Sequence, residues 1–106
     1  MKASDMQRLV RDEIARGEPF DNSHGITPQN LQKFLIEPSC VRVDPDDAES
    51  PPRDMWIVLR EQPVGSDGYV VVYDPQVSNW GVVERSASGY ILLLAADSLA
   101  SALSAM

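Results

Sequence analysis

Residues 69–85, YVVVYDPQVSNWGVVER, decide how the rest of the chain is read. Two runs rich in β-branched and aromatic residues, YVVVYD and WGVVER, flank DPQVSN, whose Asp, Pro, Ser and Asn are turn formers. Such a pattern predicts an antiparallel hairpin, with Tyr73 opposite Trp80 if the turn is tight. Gly81 inside the second run marks a bulge or a close backbone approach. Asp74, at the strand end, suits a turn cap.

Further strands follow on both sides. MWIVLRE at 55–61 precedes the turn-like VGSDG, and YILLLA at 90–95 follows SASG. CVRV, starting at Cys40, is a fifth and shorter candidate. Connections this short leave no room for crossover helices, so a meander is expected. Near the N-terminus, Met6, Leu9, Val10 and Ile14 recur at three- and four-residue steps after Ser4, which with Gln7 fits a capping box, and Gly17 is the stop. A second helix is expected from Pro28 to about Leu35, capped by Thr27 and stapled by Ile26 against Leu31, with Pro38 limiting it. Asp97 caps a last helix carrying Leu99, Ala102, Leu103 and Met106 on one side. The chain therefore reads as one α+β domain spanning residues 1–106. It is an antiparallel β-meander of four to five strands flanked by two N-terminal helices and one C-terminal helix, in the order ααβββββα.

Pairing Val71 with Leu59 and Val82 with Leu92 would place Met55, Ile57, Leu59, Val71, Tyr73, Trp80 and Val82 on one face. The other face, with Trp56, Val58, Val70, Val72 and Val83, is still largely apolar. A sheet wetted on one side should alternate, so both faces need cover: from the helices, from curling of the sheet, or from another molecule.

Composition narrows the chemistry. A formal charge of −7 argues against a phosphate-backbone ligand. No run reaches the roughly 18 apolar residues of a membrane-spanning helix, and no secretory leader pattern opens the chain. With one cysteine there is no internal disulfide, so a soluble protein of the bacterial-type cytoplasm is expected. Zinc requires three or four nitrogen or sulfur ligands, and Cys40 and His24 are all the chain offers. The spacing of those two does not force a nucleophilic pair; His24 reads as a turn residue and Cys40 as a small hydrophobe at a strand start. GSDG is too short for a phosphate loop and precedes a strand. Neither a cofactor nor a metal is expected.

The segment DPDDAESPPRD at 44–54 gathers five carboxylates. A calcium loop starting at Asp44 would need an oxygen ligand at position five, glycine at six and glutamate at twelve, where Ala48, Glu49 and Met55 stand. It reads as a solvated loop. Asp46, Asp47, Glu49 and Asp54, with Trp56 and Trp80 from the sheet, are the candidate partner-binding residues. The expected function is a non-enzymatic, small acidic protein-interaction or regulatory module. In size, charge and layout alone it resembles small bacterial immunity and accessory proteins. The alternative is a self-assembling domain that dimerises through an apolar sheet face. A third class, a small hydrolase or binding cup, would require a pocket lined by Tyr73, Trp80 and a carboxylate.

Overall fold

The computed structural model describes residues 1–45, 49–61, 68–86 and 89–106. It is α+β, with helices α1 (Ala3–Ala15) and α2 (Leu99–Ala105) and strands β1 (Leu35–Asp44), β2 (Arg53–Arg60), β3 (Gly68–Asp74), β4 (Asn79–Ser86) and β5 (Gly89–Ala96). Among the described residues no helix is long and apolar enough to cross a membrane.

α1 forms where the apolar stripe predicts it, and Met6 and Val10 are buried. The cap differs from expectation: Asp5 accepts the Lys2 backbone N–H at 2.8 Å, so the helix starts before Ser4. Gly17, at φ 65°, ends it in the left-handed region that glycine adopts without strain. α2 is capped by Ser98 in place of Asp97, with Ser98 Oγ accepting the Ser101 N–H at 3.0 Å.

The expected second helix does not form. In its place a single 3-10 turn spans Leu31–Lys33. Thr27 Oγ1 accepts the Asn30 N–H at 3.3 Å in the turn ahead of it, and Asn30 turns back, its Oδ1 accepting from Thr27 N at 2.7 Å and its Nδ2 donating to Gly25 O at 2.9 Å. Those side-chain bonds compete with helical ones in a segment too short to nucleate well. Leu35 meanwhile joins β1 opposite Leu59. Among the described residues there are thus two α-helices, not three, and β1 begins at Leu35, well before Cys40. Pro38 lies where the β1–β2 register shifts, a place where a missing N–H breaks no ladder.

Consecutive strands pair antiparallel, as the short links require, and β1 then meets β5 to close a barrel. In a meander of five strands the first and last run the same way, so the closing pair is parallel, Val43 opposite Tyr90 and Asp44 opposite Ile91. Tyr73 faces Trp80 and Val71 faces Leu59, as expected. Val82, however, faces Leu94, and Val83 faces Leu92, because the β4–β5 register slips between them. A second slip in β2, between Ile57 and Leu59, buries Ile57, Val58 and Leu59 in succession.

These slips redistribute the two apolar faces. Val43, Met55, Ile57, Val70, Val72 and Val83 form a cluster drawn from strands alone, inside the barrel. Leu59, Val71, Tyr73, Trp80 and Val82 form another with Met6, Val10, Leu31, Leu99, Ala102 and Leu103, under the helices. Closure and the helices supply the cover that both faces required.

Candidate functional site

At the turn end of the β3–β4 hairpin the Tyr73 and Trp80 rings meet edge-on at 4.9 Å. Ser78, at φ 55°, helps the chain reverse, and Asp74 Oδ1 accepts the Gln76 N–H at 3.0 Å, so Asp74 does cap its turn. Across from this hairpin α1 presents Leu9, Asp12, Glu13 and Arg16, residues spaced to share one helical face. Between them runs a groove of about 260 Å³ that Asp97, just ahead of α2, also lines. Its floor is aromatic, and its rim carries three carboxylates, Asp12, Glu13 and Asp97, against one guanidinium, Arg16.

Glu13 holds the groove together. One oxygen accepts the Leu99 N–H at the start of α2 at 2.8 Å, and the other meets Arg16 Nη1 at 2.8 Å. An anion facing a helix start satisfies an amide that has no partner within the helix. Asp12 and Asp97 are exposed. These are the residues a binding cup requires, though the groove lies outside the barrel, against α1, and not within a curled sheet.

A second constellation joins the loop after α1 to the end of β2. His24 Nδ1 is 2.6 Å from Glu61 Oε2, Glu61 Oε1 accepts the Tyr69 N–H at 3.3 Å, and the Tyr69 ring stands edge-on to the imidazole at 5.3 Å. The loop is fixed from below: Asn22 Nδ2 donates to Leu103 O at 2.6 Å, while Asn22 Oδ1 accepts from His24 N at 2.8 Å. His24 is therefore more than a turn residue. Nothing in its own stretch, NSHG, signals a partner so far along the chain.

At one end of the barrel Asp74 is also the buried partner of Arg53, with Nη2 2.8 Å from Oδ2. Among the described residues Oδ2 has no partner with hydrogen-bond geometry, so the contact with Arg53 is an ion pair without hydrogen-bond direction. Beside it lies a cavity of about 60 Å³ bordered by Met55, Val72, Gly81 and Leu92.

Of the residues singled out from sequence, Asp46 and Asp47 lie outside the described residues. Glu49 is exposed, and Asp54 is exposed with Arg42 Nε 3.5 Å away. Trp56 is half-buried against the cluster under the helices. Trp80, 5% exposed, belongs to that cluster and lines the groove. Cys40 is exposed opposite Trp56, and partial burial of its thiol, then the Asp54 carboxylate, push its pKa up. Among the described residues no group of three or more His, Cys, Asp and Glu is placed to hold a metal ion.

No protein-family model, no curated protein and no solved structure matches this chain.

Proposed function

We propose that the protein is a small, acidic, non-enzymatic interaction or regulatory module, which docks a protein partner by receiving a basic side chain in the groove between α1 and the β3–β4 hairpin. The observation carrying this reading is the pairing of an aromatic floor, Tyr73 and Trp80, with a rim of excess negative charge, Asp12, Glu13 and Asp97 over Arg16. A lysine or arginine suits such a site, since its aliphatic stem covers apolar surface while its head meets carboxylates. The overall charge of −7 steers a cationic partner toward it.

The test is fluorescence anisotropy with a labelled oligolysine peptide, for the unmodified chain and for an Asp12→Asn, Asp97→Asn variant. Two exposed charge contacts are each worth about 0.5 kcal/mol, so the variant is expected to bind about fivefold more weakly. Equal binding by the variant would show that general acidity, not this groove, attracts the peptide, and would end the reading.

Self-assembly is the second reading, and one observation favours it. β5, the most apolar run in the sequence, contains no buried residue; Leu93 is 40% exposed and Ala95 is exposed too. An elution volume of a dimer in size-exclusion chromatography at micromolar concentration, lost in Leu93→Lys, would favour it over the first.

A further inference from the structure

The His24, Glu61 and Tyr69 constellation is not used by the groove, and it has the parts of a reactive imidazole. We propose that His24 Nε2 is a nucleophile that accepts an acyl group from a neutral, activated acyl donor, an aryl ester or thioester, an activity that would replace the non-enzymatic part of the reading above and leave its groove untouched.

Geometry sets the tautomer. With the Glu61 carboxylate 2.6 Å from Nδ1, neutral His24 carries its proton on Nδ1, and the lone pair is on Nε2. No bond to Nε2 is made among the described residues, and the side chain is 29% exposed, so the lone pair is open to an incoming molecule. Glu61 is only 10% exposed and is further held by the Tyr69 N–H, so its charge is fixed in place beside the ring. Asn22, anchored on Leu103 O, sets the loop that carries the imidazole. A base oriented by a buried carboxylate is the arrangement that raises nucleophilic reactivity, because the carboxylate stabilises the imidazolium formed on attack.

The reaction balances without any further agent. Nε2 attacks the acyl carbon, the tetrahedral adduct collapses, and the aryloxide or thiolate leaves with the electron pair of the broken bond. Glu61 takes up the Nδ1 proton from the acylimidazolium. Water then adds to the acyl carbon, Glu61 returns the proton to Nδ1 as the carbon–nitrogen bond breaks, and neutral imidazole and a carboxylic acid remain, the water's other proton passing to the departed aryloxide or thiolate. Two features choose the donor. The adjoining Glu61 and the net charge of −7 repel anionic phosphoryl donors, so a neutral electrophile is favoured. No pair of donors is arrayed beside Nε2 among the described residues to hold an oxyanion, so the leaving group has to be a good one, which excludes amides.

His24 is the one histidine of the chain, which makes the test direct. The probe is p-nitrophenyl acetate with the Cys40→Ala chain, since Cys40 is the competing thiol. Nitrophenolate release at neutral pH is expected to exceed that of N-acetylhistidine amide at equal concentration by about tenfold, a modest share of what an oriented base supplies. Urea unfolding should abolish the excess. His24→Gln should remove it, and Glu61→Gln should reduce it while leaving the circular dichroism spectrum unchanged. A native rate no greater than that of the amide, or one unaffected by His24→Gln, overturns the proposal and leaves the pair a structural tie between loop and strand.

Discussion

Substituting Gly81 by alanine tests the register slip that shapes the barrel. A Cβ at this position would stand 2.9 Å from Leu92 Cδ1, 3.0 Å from Leu94 O and 3.5 Å from Val72 Cγ2. Comfortable carbon contacts lie at about 3.5–4.0 Å, so the first two neighbours have to give way by about half an ångström. Leu92 can change rotamer. Leu94 O cannot retreat without disturbing the β4–β5 pairing, in which Gly81 faces Ala95 and Val82 faces Leu94. Overpacking of this kind costs about 1–3 kcal/mol. Restricting the unfolded chain returns about 0.4–1 kcal/mol. The mid-range values of cost and gain leave a net loss for Gly81→Ala of about 1.3 kcal/mol, or a Tm lower by about 5–10 °C for a domain of this size. Urea denaturation should show a lower midpoint at unchanged slope. Leu92→Val removes the atom in closest approach, so in that background the cost should shrink, a non-additivity that a double-mutant cycle measures. A Gly81→Ala chain as stable as the parent, or the same loss in both backgrounds, would refute the close approach as the reason for glycine here.

Two other expectations follow from the strands. Arg53→Met leaves the Asp74 carboxylate, 6% exposed, without its cation; since Arg53 is itself 33% exposed, the loss should be about 1–3 kcal/mol, below that of a fully buried pair. A thermal melt showing less than about 0.5 kcal/mol would mean the pair is neutral to stability. Cys40, its pKa raised first by burial and then by Asp54, holds less thiolate near neutral pH than a free cysteine, so it should react more slowly with a thiol-exchange reagent. Asp54→Asn removes the second cause, lowers the pKa and should speed that reaction; an unchanged or slower rate would contradict the cause.

The groove and the dyad differ in how visible they were from sequence. Tyr73 and Trp80 face each other because a short turn sets the register of the strands beside it, and such a turn is legible in DPQVSN. That α1 brings Asp12 and Glu13 to the same groove is not legible, since helix packing depends on which sheet face the helix covers. His24 and Glu61 are far apart in the chain, and neither sits in a motif. A carboxylate ending the MWIVLRE run and a lone histidine in a loop were visible signals, but not their meeting.

What the sequence by itself determined is local: strand periods, the tight hairpin at Tyr73 and Trp80, the amphipathic first helix and the α2 stripe, each set by residues within a few positions of one another. Tertiary structure decided the rest. Barrel closure through Val43 and Tyr90 depends on strands from opposite ends of the meander, and the slips at Ile57 and Val82 arise as inner and outer surfaces are filled at once. The segment after Thr27 had the caps of a helix and lost its end to β1, because pairing Leu35 with Leu59 satisfies backbone and apolar surface together where a helix of that length is marginal alone.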